Sequence, residues 1–272
     1  DPKGKAGLAN LVATTMDEGA GDLDSQSFQK TLEDKAIRIR FDAGLDNFGG
    51  RLQTLVRDQD DAFNLLRLAL TAPRFDTEPL ERIRSQILVG LKQDEESPHS
   101  IAGKAMREVL YGGHPYGRSA DGMPDSVKAI TADDLRTFVT QRLTRDTLVI
   151  GVVGDITPAK LAELLDTTFG TLPAQGTDWR LPKIRANTDG RTVVINKDVP
   201  QSAILFADQG LLRDDPDFYA AYVMNHVLGG GGFTSRLYGE VREKRGLAYS
   251  VSSGLNSRRA SATTIGGAGT AN

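Results

Sequence analysis

Cysteine is absent from the 272 residues, so neither a disulfide framework nor a thiolate metal site is available. That absence leaves the compartment open, since exported chains can also lack cysteine. Histidine is scarce. His99, His114 and His226 are the three present, and no two stand four residues apart, the spacing that sets two metal ligands on one helix face. Each reads more simply as a structural or solvated residue: His99 at a helix junction, His114 in a turn, and His226 near a helix C-terminus where positive charge is favoured. Long apolar runs are missing, so no segment is read as spanning a bilayer. No secretory leader is visible, although a chain opening at Asp1-Pro2-Lys3 could have lost one. Charge of either sign is not in excess. The 33 Lys and Arg against 36 Asp and Glu give −3, which offers no electrostatic basis for binding nucleic acid or an anionic membrane. Nucleophile elbow, phosphate loop and dinucleotide fingerprint are all absent. The run Gly229-Gly230-Gly231-Gly232 lacks the Lys-Ser or Lys-Thr of a phosphate loop and reads as a helix stop and turn.

What is present suits a folded protein: 39% hydrophobic and 25% charged residues, over a length that favours two domains. Leu8, Leu11, Val12 and Met16 recur at helical spacing, and a second helix from about Ser27 buries Phe28 and Leu32. Ile37, Ile39 and Phe41 alternate with charged residues as a half-buried strand, with a partner strand returning over Arg51–Val56. Helices follow from about Asp61 to before Pro73, from Thr77 to about Glu96 and over Ser100–Leu110. Thr131 with Asp134 forms a capping box opening a helix to Arg142, and Thr157-Pro158 opens another that ends at Gly170. The run Thr147–Val153 between them reads as a buried strand. Residues 174–190, rich in Pro, Gly, Asp and Asn, read as a linker. Beyond it come strands at Thr192–Lys197 and Ser202–Ala207, helices at Asp217–Leu228 and Ser235–Arg245, and a hairpin from Ala248. The order helix, helix, strand, turn, strand occurs twice, and Phe28–Leu45 aligns with Leu237–Leu255 through Ala43-Gly44-Leu45 and Ser253-Gly254-Leu255. The expectation is an α+β fold of two related units, each an antiparallel-rich sheet with helices packed on it, at 1–173 and 191–272.

From the residues alone no catalytic centre emerges. The block from Leu228 through Ser235-Arg236-Leu237-Tyr238 and Arg242 to Gly246-Leu247-Ala248-Tyr249-Ser250 resembles the C-terminal half of insulinase/pitrilysin-type zinc peptidases. The likeness is strongest to the bacterial branch related to mitochondrial processing peptidase. Tyr111-Gly-Gly-His-Pro-Tyr-Gly117 and Val153-Gly154-Asp155-Ile156 agree with the first half of such proteins, so the resemblance covers nearly the whole chain. It implies a zinc site on the first helix, built on His-x-x-Glu-His, with a third glutamate ligand on a later helix. Here Asn10 and Thr14 stand in place of the histidines and Ala13 in place of the glutamate. Ile87–Leu91, with Val89 and Gly90 at its centre, replaces the run bearing the third ligand. An amide, a hydroxyl and aliphatic groups do not hold zinc tightly.

The resemblance also implies an arginine and a tyrosine, six residues between them, that hold substrate at a zinc site, and Arg242 and Tyr249 match that spacing. Such residues on a chain without metal imply zinc in a partner. The expectation is a non-catalytic, substrate-binding subunit of a heterodimeric zinc endopeptidase with a peptide substrate, bearing no metal itself, bacterial and periplasmic rather than cytoplasmic. A neighbouring reading is a peptidase-like scaffold or binding protein that serves no protease. Chains of this type have further strands before the first helix and continue past position 272, so both ends read as trimmed.

Overall fold

The computed structural model describes residues 1–177 and 181–271. The middle of the expected linker, residues 178–180, and the last position of the expected second unit, 272, lie outside the described residues. The chain divides into two compact units, one from Asp1–Leu91 with Ser119–Trp179 and the other from Lys92–Arg118 with Arg180–Asn272.

The first unit starts with α1 (Leu8–Thr15). No side chain of its own N-cap residue serves it. The Asp1 carboxylate instead accepts from the backbone N–H groups of Gly7 and Ala9, each at 2.9 Å, satisfying donors that the first helical turn leaves unpaired. Helix α2 (Ser25–Asp34) is capped by Asp24, whose carboxylate accepts from Ser27 N at 2.8 Å. Strands β1 (Arg38–Ala43) and β2 (Phe48–Gln53) pair antiparallel, with Arg38 opposite Gln53 and Ala43 opposite Phe48. Helices α3 (Gln59–Thr71) and α4 (Thr77–Asp94) follow. Leu11, Val12, Met16 and Phe28 are wholly buried and form one core with Ile37, Ile39, Leu65, Phe75, Leu80 and Leu135. The alternation of Ile37 and Ile39 with arginines thus sends the isoleucines inward, as a strand of period two requires.

After α5 (Pro98–Tyr111), which falls in the second unit, the first unit resumes with α6 (Pro124–Ala129), α7 (Ala132–Arg142) and α8 (Pro158–Phe169). The Thr131–Asp134 capping box forms in both directions, and the Thr157 hydroxyl accepts from Lys160 N at 3.3 Å.

The second unit takes in α5 (Pro98–Tyr111), β3 (Gln201–Gln209), α9 (Phe218–Asn225), β4 (Ser250–Ser257) and β5 (Ala262–Ala271). The sheet order is β3-β5-β4, antiparallel throughout, with β5 in the centre. Helix α5 packs against β3, which corrects the expected boundary at 173: residues 92–118 belong to the second unit. Amphipathic spacing shows that a helix has an apolar face but not which sheet receives it. The turn at Tyr111–Gly117 is fixed by its own side chains. His114 Nδ1 accepts from Tyr116 N at 3.2 Å, and His114 Nε2 lies 3.0 Å from the Pro182 carbonyl oxygen. The fully buried Tyr116 hydroxyl accepts from Ala260 N at 3.0 Å, and the Arg258 guanidinium lies 5.3 Å from its ring centre.

Two expected strands do not form ladders. Leu148–Val153 follows a 3-10 turn at Arg145–Thr147 and pairs with no described strand, nor does Thr192–Lys197. Val149 and Val153 are essentially fully exposed, and Val194 nearly so. The composition is that of a buried strand, but ladder partners decide whether it becomes one.

Candidate functional site

The four glycines after α9 position the site. Helix α9 passes at its end into a π turn at His226–Gly230, followed by a 3-10 turn at Gly232–Thr234. Gly229 rests on β4: a Cβ there would lie 2.4 Å from Ser253 Oγ and 2.6 Å from Ser253 N. Only a residue without a side chain allows that approach. Beside it, buried Asn225 donates through Nδ2 to the Ser253 carbonyl at 3.3 Å and accepts through Oδ1 from Ser253 Oγ at 2.8 Å. The end of α9 is thereby latched to β4.

The next helical segment opens at Ser235, which is buried and whose Oγ accepts from Tyr238 N at 3.4 Å. Tyr238–Glu243 is a π helix, a rare local geometry that recurs at functional sites. It carries Arg242. The chain then reverses at Gly246, whose φ of 63° lies in the left-handed region, and Tyr249 leads into β4, its N–H donating to the Gly269 carbonyl at 2.8 Å.

This path brings together the two residues singled out by the sequence. The Arg242 guanidinium carbon lies 5.1 Å from the centre of the Tyr249 ring and 4.7 Å from that of Tyr238, within cation–π range of both. Its Nη1 also donates to the Tyr238 hydroxyl. Tyr249 is 77% exposed, so its phenol is open to a ligand.

The charge on Arg242 is not neutralised: among the described residues no carboxylate pairs with it. The nearby Glu240 is engaged elsewhere. Lys244 donates to it at 2.6 Å and holds its carboxyl below the usual range, and Arg245 lies 3.4 Å away. Tyr238 is the residue that reasoning from the sequence did not single out. Its signal was its place four residues before Arg242, the spacing at which helical side chains meet.

The positions matching a zinc site, in the first unit, hold different chemistry. Asn10 on α1 donates to the Asp121 carboxylate at 3.3 Å, and Thr14 turns its hydroxyl back to the Asn10 carbonyl at 2.8 Å. The Ala13 methyl is buried, while Val89 on α4 is 57% exposed and Gly90 has no side chain. None offers an imidazole, thiolate or carboxylate, so these residues do not fit a zinc ion. Among the described residues no three His, Cys, Asp or Glu side chains gather where they could share a metal.

A family model described as the peptidase M16 inactive domain matches residues 129–271. The chain belongs to the M16 peptidase family. The match is to the inactive domain, over residues 129–271. The non-peptidase homolog YmxG of Helicobacter pylori is 30% identical over 250 residues, which cover 92% of this chain and 57% of that protein. The uncharacterized zinc protease SCO5738 of Streptomyces coelicolor is 32% identical over 188 residues, 67% of this chain and 41% of that one. A crystal structure of a peptidase M16 inactive domain from Pseudomonas fluorescens superposes with a TM-score of 0.89 at 28% identity, over 98% of this chain and 65% of that chain. The matched sequence spans about two fifths to two thirds of the length of these relatives. The mixed helix-and-sheet fold is that of M16 inactive domains. The relatives are bacterial. No described helix is long and apolar enough to cross a membrane.

Proposed function

We propose that this M16 protein is the substrate-binding, non-catalytic subunit of a heterodimeric zinc endopeptidase, and that Arg242 and Tyr249 serve the zinc site of a homologous partner chain. One observation carries the reading. On a chain whose positions matching a zinc site carry no ligand side chain, a guanidinium that no carboxylate neutralises among the described residues is held against an exposed phenol, with Cζ 5.1 Å from the ring centre. A guanidinium and a phenol are hydrogen-bond donors suited to a peptide carbonyl and to the oxyanion that develops from it. Arg242 would clamp the peptide carbonyl, and Tyr249 would donate its O–H to the oxygen on which charge accumulates. Zinc in the partner would supply the activated water. The helix–strand elements at Phe28–Leu45 and Leu237–Leu255 are read as two copies of one unit, and the periplasm as the compartment.

The test is to reconstitute the chain with a homologue bearing His-x-x-Glu-His and measure steady-state peptide cleavage. Tyr249→Phe removes one oxyanion donor and keeps the ring. It should leave co-elution of the two chains intact while slowing cleavage by up to about a hundred- to a thousandfold. Arg242→Ala should weaken substrate binding as well, through loss of a charged clamp. Unchanged rates with intact assembly would overturn the proposal in favour of a scaffold.

A further inference from the structure

The geometry around Arg242 contains a third participant, itself held firmly in place. The Tyr238 backbone N–H is bound by the buried Ser235 hydroxyl at 3.4 Å, and its ring meets Phe233 edge-on, centres 5.0 Å apart at 84°. Its hydroxyl then accepts from Arg242 Nη1, while the guanidinium carbon stays within 4.7 Å of its ring centre. A half-buried arginine at the end of a helical segment otherwise samples many rotamers, and a ligand that binds it must order it. Here the hydrogen bond fixes one edge of the guanidinium fork and the two tyrosine rings contact the group. The remaining N–H groups are left to a ligand.

We propose that Tyr238 is a positioning residue: its hydroxyl and ring hold the Arg242 guanidinium against Tyr249, so that the pair meets an extended peptide already arranged. This rests on the reading of Arg242 and Tyr249 as a peptide clamp, and it adds that the clamp is preorganised by a residue that need not touch the peptide. A tyrosine that only packs would give the same fold without governing the arginine. The two roles separate when the hydroxyl alone is removed, as in Tyr238→Phe, which keeps the ring and its contact with Phe233.

Two measurements decide it. In the isolated chain, the Arg242 guanidinium resonances are assigned by their loss in Arg242→Lys and followed by NMR. Tyr238→Phe should speed rotation about the Cζ–Nη bonds at least about threefold, the size expected when one such hydrogen bond is lost. Unchanged rotation would overturn the proposal whether or not a protease partner exists. In the reconstituted pair, Tyr238→Phe should lower kcat/KM about three- to tenfold, and Tyr238→Phe with Arg242→Ala should be no worse than Arg242→Ala alone. Additive losses would mean that Tyr238 acts independently and would overturn it. If Arg242→Ala itself leaves kcat/KM unchanged, the clamp reading fails, and the rotation rates alone judge whether Tyr238 holds Arg242.

Discussion

Gly229→Ala places one methyl group where the structure has no room. The new Cβ would lie 2.4 Å from Ser253 Oγ, 2.6 Å from Ser253 N and 2.8 Å from Leu237 Cδ1. Carbon in ordinary contact sits about 3.5 Å or more from its neighbours. The π turn and β4 must therefore separate by about 1 Å, and the obstacle is partly strand backbone rather than a side chain that can swing aside. Overpacking of this kind costs about 1–3 kcal/mol, and the separation also strains the Asn225–Ser253 hydrogen bonds. A sum of about 2–4 kcal/mol is expected, a large share of a marginal stability. At about 2–4 °C per kcal/mol for a chain of this size, the melting temperature should fall by roughly 4–16 °C. Differential scanning calorimetry measures this directly. Gly239→Ala is the matched control, because a Cβ there meets nothing within 4 Å and the position is helical. It should be neutral or raise stability by up to about 1 kcal/mol. Equal melting temperatures for Gly229→Ala and the parent would refute the seating of the π turn on β4, and with it the local account of how Arg242 and Tyr249 are brought together.

Two other outcomes follow from the packing. Burial pushes the Asp17 carboxyl up to about 6, with Glu18 adding to the rise and Arg40 opposing it. Its folded value lies above its unfolded one, so the fold binds the extra proton and loses stability as pH rises from about 4 to about 6. Asp17→Asn should accordingly gain about 1–3 kcal/mol at pH 7.5 and nothing near pH 4 in urea titrations, and a pH-independent difference would contradict the burial argument. Tyr116→Phe leaves the Ala260 N–H without its acceptor in a buried setting. It should cost about 1–3 kcal/mol by chemical denaturation; a loss below about 0.3 kcal/mol would mean that water reaches that N–H.

Much of this was legible in the residues because it is local. The Thr131 and Thr157 caps and the alternation of Ile37 and Ile39 each depend on near neighbours in sequence, whereas Arg242 and Tyr249 stood out only through the family resemblance. What escaped depends on distant ones. Helix α6 is a single short turn-and-a-half with too few residues to show a period, though Pro124 at its start was a usable mark. The home of α5 is set by β3, about a hundred residues away in sequence. The four glycines read as a flexible stop, yet Gly229 is an anchor, because the need for an absent side chain appears only once Ser253 is beside it. At the site, Tyr238 was visible as a residue but not as a partner of Arg242, since an i, i+4 pair of this type is common on helices and marks nothing by itself.

Leu148–Val153 and Val193–Ile195 bear on how the molecule behaves in a crowded solution. Both carry branched apolar side chains into solvent on backbone outside any ladder. A short, flat, uncharged run of this kind is a template for strand addition by another chain. The net charge of −3 spread over 272 residues gives little repulsion to oppose such encounters. A charged side chain at Val149 or Val153 in the first unit, or at Val194 in the second, should therefore reduce self-association of the chain.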